Sequence, residues 1–336
     1  FGDGGVPYAV IYDQLGSFPS LAIYGSLVVA LYGSGEMPTA RGVARRIATF
    51  PPFLSLVLAL SLRGVVFPAA VSDVLTALGQ MPVAGPGPFE PGGECSGIVR
   101  AVGPGVTRVV PGDAVVAIAR ATLSTHVIAP AHAVAVMPDN LDFNRAAGLP
   151  IVFLTAQHAL ETLARVARGE RVLIHAAAGG VGLAAVQIAR RLGAEIYATV
   201  GHPDKREYLR SLGVEHVFDS RSPSFVDGIR AATGGEGVDV VLNSLAGEFI
   251  PASLGLLRPQ GRFVEIGKRD LLAGTALGLA PFLRNLTYSA FDLGQIVDAR
   301  DPSLTRTFDA LMDRFARGEL ELPPTAAIPF ERAGEG

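Results

Sequence analysis

Residues 171–194 read RVLIHAAAGGVGLAAVQIARRLGA, and their reading decides the fold. The first six are a short apolar run and residues 181–192 carry helical periodicity, so the stretch reads as strand, tight turn, helix. Ala177, Gly179 and Gly182 occupy the three small-residue positions of the fingerprint G-x-G-x-x-G, with alanine in the first. Gly179 and Gly180 would let the backbone approach a pyrophosphate, Gly182 would let the helix pack on the strand, and the helix N-terminus would face the anion. A bare βα turn could carry the same glycines. The placement between strand and helix favours dinucleotide binding, with Ala178, Gly179, Gly180, Val181 and Gly182 as candidate contacts.

Working outward, EIYATV, HVFDS, GVDVVLNS, GRFVEIG and TYSAFDL repeat the pattern, most of them separated by helical segments such as 203–212. Strand alternating with helix means βαβ units and a doubly wound parallel sheet covered on both faces. Before residue 140 glycine and proline are frequent and apolar runs are short, which predicts an irregular antiparallel β domain. In it GPGVTRVVPGDAVV should form strand, turn, strand. Residues 142–166 read as helix, broken near Pro150, and residues 34–52 as a loop-rich excursion.

The 336 residues suffice for two domains. A formal charge of −3 provides no basic field for nucleic acid. Cys95 is the single cysteine, so an internal disulfide, a Cys-rich zinc site and an iron–sulfur cluster are excluded, and a reducing cytoplasm is the expected location. The apolar stretches SLAIYGSLVVALYG and FLSLVLALSL are shorter than the roughly 20 residues of a membrane-spanning helix and read as buried strands; no membrane association is expected. A chain that opens on Phe1 fits a piece of a larger polypeptide.

Of the 28 basic residues only Lys205 and Lys268 are lysine. Lys205 lies in GHPDKRE, just past the strand EIYATV, where an NAD-binding domain usually places an acid for the ribose hydroxyl. The adjacent Lys205 and Arg206 favour a 2′-phosphate instead, hence NADP. Lys268 follows RFVEIG. In the usual strand order 3-2-1-4-5-6 the nicotinamide lies over the carboxyl ends of strands 4, 5 and 6. Asn243, Lys268 and Asp292 stand at those ends and are expected to converge. A lysine there can donate a proton or stabilise an anion, with the aspartate setting its charge state; a surface ion pair of little consequence is the competing reading.

No tyrosine is followed four residues later by lysine, and the six histidines are scattered without a metal-binding pattern, so no metal site is expected. A hydride enzyme without either device needs a substrate that is already electrophilic. A double bond conjugated to a carbonyl qualifies, because hydride addition leaves an enolate that needs only oxyanion stabilisation and a proton.

PGGECSGIVRAVGPGVTRVVPGDAVVA, LPIVFLTAQHAL, VLNSLAGE, GRFVEIGKRD and AFDL, together with the fingerprint stretch, closely resemble the enoylreductase domains of polyketide and fatty acid synthases, within the medium-chain dehydrogenase/reductase superfamily. The resemblance is densest over residues 90–293. It implies an α/β architecture: a GroES-like β domain (1–145, with a return over 294–336) and an inserted Rossmann domain (146–293). It also implies NADPH-dependent reduction of an α,β-enoyl thioester on the phosphopantetheine arm of an acyl carrier protein, with neighbouring synthase domains as further partners. Gly93 then stands where zinc-dependent relatives carry a histidine ligand. Lys268 and Asp292 match the family's proton-donating pair, and Thr155 and Asn243 lie by the nicotinamide. Lys205 with Arg221 meets the 2′-phosphate, and Ser244, Leu245, Ile266 and Gly267 border the cofactor.

The chain departs from that pattern in places. AVSD at 70–73 replaces the family's Asn-Phe-Arg-Asp, leaving Asp73 as a candidate pocket residue. Met81 stands where many members carry a tyrosine, and a thioether cannot donate a proton. The first 65 residues match poorly, with 26–52 foreign to the family, and FERAGEG at 330–336 stops short of the family's last helix and strand, so a partner or continuation is expected to cover the edge. A free-standing quinone or enone reductase, and a cofactor-binding domain kept for structure alone, are the alternative functions.

Overall fold

The computed structural model describes residues 91–329 and Arg332. Asp73, Met81, the two long apolar stretches and the 34–52 excursion lie outside the described residues.

The fingerprint strand becomes β4 (Arg171–Ile174), the centre of a six-stranded sheet. Its companions are β5 (Glu195–Val200), β6 (His216–Asp219), β7 (Val238–Asn243), β8 (Leu257–Glu265) and β9 (Thr287–Ala290). The order is β6-β5-β4-β7-β8-β9, which is 3-2-1-4-5-6 counted from the first strand, and every pair is parallel. Parallel register sets Leu173 beside Tyr197 and Val241 beside Phe263, all fully buried, because helices cover both faces. The alternation read from residue 171 onward is therefore the observed Rossmann architecture.

Three strands, β1 (Glu94–Ile98), β2 (Ala114–Ile118) and β3 (Val134–Val136), form a separate antiparallel sheet. The expected strand over 103–110 is absent: that stretch is irregular, and only residues 114–118 pair. Asp113 explains the difference, because its carboxylate accepts the Val110 N–H at 2.8 Å and closes a turn over Pro111 and Gly112, whose φ is 103°.

Between the sheets run α1 (Phe143–Ala146), capped by Asp142, and α2 (Pro150–Gln157), with Pro150 at its first position rather than inside it. A π turn, His158–Leu163, continues α2. The parallel strands are then linked through α3 (Gly180–Arg191), α4 (Pro203–Ser211), α5 (Phe225–Ala232), α6 (Phe249–Leu254) and α7 (Arg269–Ala273). After β9 come α8 (Leu293–Asp298) and α9 (Pro302–Ala316). Helix α9, capped by Asp301, buries Leu304, Phe308, Leu311 and Phe315 at helical spacing. That stripe packs on β3 and α2, with Phe315 edge-on to Phe153 at 4.9 Å, while Thr305 Oγ1 donates to His132 O. Burying each such side chain contributes roughly 1.5–3 kcal/mol, which is what draws residues after 300 back to the antiparallel sheet.

Candidate active site

The glycine turn is built for close approach. Helix α3 starts on Gly179, which offers no capping side chain, so the first-turn N–H groups of Gly180, Val181 and Gly182 have no intrahelical acceptor. A Cβ on Gly182 would sit 2.5 Å from Ala176 O, and one on Gly180 would sit 2.9 Å from Val152 Cγ1. The first contact seats the helix on the turn and the second lets α2 cross it. A cradle of N–H groups at a positive helix end fits a pyrophosphate.

At the tip of β5 the basic pair divides. Arg206 turns inward to Asp219 at 3.3 Å, and the carboxylate at the end of β6 holds its guanidinium away from Lys205. Lys205, on the first turn of α4, is exposed and makes no ion pair among the described residues. Arg221 is exposed, and its side chain lies against Gly201, with Nε 3.3 Å from where a Cβ would stand. Two exposed cations thus flank the strand end where an adenosine ribose would rest.

A cavity of about 590 Å³ opens beside the carboxyl ends of β8 and β9. Its walls are mainly apolar, drawn from β2, α2 and α3 as well as those strand ends: Ile118, Ile151, Val181, Ile266 and Phe291. Thr155, Lys268 and Asp292 bring polar atoms to it. Lys268 Nζ and Asp292 Oδ2 are 2.9 Å apart, with about half and a third of each side chain exposed. Asp292 also caps α8, its Oδ1 accepting the Gly294 N–H at 3.0 Å. That second bond fixes the carboxylate, which in turn holds the ammonium at the cavity wall.

Asn243 does not join this pair, contrary to the expected convergence. Its side chain is fully buried and spent: Nδ2 donates to Glu265 Oε2 at 2.6 Å and to Leu245 O at 2.7 Å, and Oδ1 accepts Leu245 N–H. Ser244 is exposed at the start of the following loop. Gly267 is held by Glu265 Oε1, which accepts its N–H at 2.6 Å, and Asp270 accepts the Gly247 N–H at 3.0 Å. Glu265 was missed in the sequence, although a lone acid inside the apolar run RFVEIG was a visible signal. Burial pushes its carboxyl up to about 7, against the lowering effect of the Asn243 and Gly267 hydrogen bonds. Glu94, also missed, accepts the Ile151 N–H at 2.6 Å and ties β1 to the start of α2; burial raises it to about 7 as well.

The histidines are engaged singly. His175 is buried between Thr199 and Ser253, His158 stacks on Phe291, His216 stacks on Tyr197, and His132 Nε2 donates to Val297 O. Among the described residues no three His, Cys, Asp or Glu side chains come together as metal ligands. Gly93 lines the cavity with no donor atom and Cys95 stands alone, so this donor set does not fit zinc.

A Rossmann sheet with a bare glycine turn, joined to an antiparallel sheet that walls a cavity, is the architecture of a medium-chain dehydrogenase/reductase. Residues 180–315 match the zinc-binding dehydrogenase family and residues 65–139 the alcohol dehydrogenase GroES-like domain. The chain is 44% identical over 264 residues to the mycocerosic acid synthase-like polyketide synthase of Mycolicibacterium smegmatis. That match covers 78% of the chain but only 12% of the relative, so the chain corresponds to a small part of that protein's length. The crystal structure of CurK enoyl reductase superposes with a TM-score of 0.67 at 40% identity, covering 79% of this chain and 82% of that one. Mycobacterial Rv1454c complexed with NADPH gives a TM-score of 0.65 at 28% identity, covering 77% and 82%. The chain belongs to the enoyl reductase domains of polyketide synthases. No described helix is long and apolar enough to cross a membrane.

Proposed function

We propose that this chain reduces the carbon–carbon double bond of an α,β-enoyl thioester, delivered on the phosphopantetheine arm of an acyl carrier protein, with NADPH as reductant. The observation that carries the reading is the 2.9 Å Lys268–Asp292 pair on the wall of a largely apolar cavity at the strand ends. When bound, NADPH supplies a hydride to the β-carbon. Gly179, Gly180, Val181 and Gly182 would hold its pyrophosphate through backbone N–H groups, and Lys205 and Arg221 its 2′-phosphate. Thr155, Val181 and Ile266 would border the nicotinamide, while the apolar wall excludes water and accepts the acyl chain. Lys268, oriented by Asp292, stabilises negative charge on the thioester oxygen or passes its proton to the α-carbon. The similarity to a much longer polyketide synthase supports neighbouring synthase domains as partners.

Oxidation of NADPH on adding crotonyl-pantetheine thioester tests this directly. Cofactor binding without turnover would favour a purely structural domain, and turnover of quinones alone would favour a free-standing quinone reductase. A second test addresses the phosphate. Lys205→Ala should raise the KM for NADPH roughly 10-fold, the loss of one charge-assisted hydrogen bond, and leave that for NADH unchanged; equal effects on both cofactors would remove Lys205 from the phosphate site.

A further inference from the structure

Three strand ends meet beneath Lys268, and one buried residue joins them, β7 through its side chain and β9 through its backbone carbonyl. Glu265, 2% exposed, is the last residue of β8. Its Oε1 takes the Gly267 N–H and its Oε2 the Asn243 amide at the end of β7, each at 2.6 Å. Its own carbonyl accepts the Phe291 N–H at 2.9 Å, the residue before Asp292. The Ile266 N–H goes to Asn243 O, also at 2.9 Å. Both carboxylate oxygens and the N–H groups of Ile266 and Gly267 are therefore committed, and the next residue is Lys268. The cavity wall at Ile266 and the partner strand at Phe291–Asp292 are registered by the same residue.

We propose that Glu265 is a positioning residue that sets the reach of the Lys268 ammonium toward the cavity and toward Asp292, an inference that rests on the catalytic reading of Lys268. The carboxylate is needed as an acceptor at both oxygens. A glutamine of the same shape keeps one acceptor for Gly267 but turns its NH2 group toward the Asn243 NH2, donor against donor. Relief requires the asparagine amide to flip, which breaks both of its bonds to Leu245. The turn then loses its registration to β7, and the lysine that follows loses a fixed origin. A misplacement of about 1 Å at a reacting group is enough to slow turnover substantially without unfolding the protein. Burial raises the ionisation range of this carboxyl, while the Asn243 amide and the Gly267 N–H, both donating to it, act in the opposite direction.

The chain has only two lysines, which makes the proposal directly observable. Reductive ¹³C-methylation of the two ammonium groups keeps their charge and gives two side-chain NMR signals, assigned by Lys205→Arg. In the unmodified sequence the Lys268 signal should stand apart from that of exposed Lys205. In Glu265→Gln it should move toward the free-lysine position, with the Lys205 signal unmoved. In parallel, Glu265→Gln should lower kcat on crotonyl-pantetheine thioester roughly 10-fold with the KM for NADPH unchanged. Added to Lys268→Ala it should cost nothing more, because both act through one group. An unmoved Lys268 signal, or a loss that multiplies with that of Lys268→Ala, overturns the inference and leaves the Lys268 reading intact. Full turnover in Lys268→Ala alone overturns that reading and the inference with it. If Glu265→Gln does not fold, Asn243→Ser removes the second partner of the carboxylate and should shift the same signal; no shift there counts equally against the proposal.

Discussion

Lys268→Ala is expected to lower kcat for enoyl thioester reduction by roughly 10²–10⁴-fold, the span set by removal of a general acid, while NADPH affinity stays within about twofold. The asymmetry follows from position. The ammonium sits at the end of β8 against the Asp292 carboxylate, whereas the candidate pyrophosphate cradle is on the turn after β4 and the candidate phosphate cations are at the ends of β5 and β6. Stopped-flow NADPH oxidation combined with fluorescence titration of the cofactor separates the two quantities. A fully active alanine variant would leave solvent as the proton source. Lys268→Arg is a useful companion, because it retains charge but holds its proton more tightly, and should recover little of the lost rate if proton donation is the limiting role.

The second large effect concerns stability. His175 is 3% exposed, with Nδ1 at 2.8 Å from Thr199 Oγ1 and Nε2 at 2.8 Å from Ser253 Oγ, and the Phe225 ring stands edge-on to it at 5.1 Å. Burial pushes its pKa down from 6.5 to about 3. Between those values the unfolded chain binds a proton that the native protein refuses, so stability falls as the pH is lowered through 6.5 and continues to fall toward 3. The slope from this residue approaches about 1.4 kcal/mol per pH unit at most. His175→Gln should cost about 2–3 kcal/mol at neutral pH, because two buried hydroxyls lose well-placed partners. It should also flatten the acid side of the stability profile. Urea unfolding at several pH values between about 4.5 and 7.5 reads both effects, and parallel profiles for the two proteins would contradict the account.

The sequence was most legible where one local rule governed. Alternating β-branched runs and helical periods after residue 171 found all six strands of the parallel sheet, because in a sheet covered on both faces burial dictates composition directly. GVTRVV was misread as a strand because its valines mimic alternation, whereas the Asp113 turn that denies it a partner depends on one side chain reaching back three residues. The Lys268–Asp292 approach could be inferred from topology, since adjacent strands end side by side. Which way Asn243 and Arg206 turn could not, because each choice was made by an acid on a neighbouring strand, Glu265 in one case and Asp219 in the other. Such acids look ordinary in one dimension and acquire meaning only when strands far apart in the chain are laid next to one another.

The two members of the ion pair arrive on the last two strands of the sheet, and among the described residues β9 is held to it along one side only, by β8. Catalytic competence should therefore be the final property gained during refolding. A chain that has closed its nucleotide cradle at β4 and β5 but not yet docked that outermost ribbon would already bind coenzyme and still do no chemistry. The lag between recovered coenzyme fluorescence and recovered turnover measures the interval in which this edge strand finds its place.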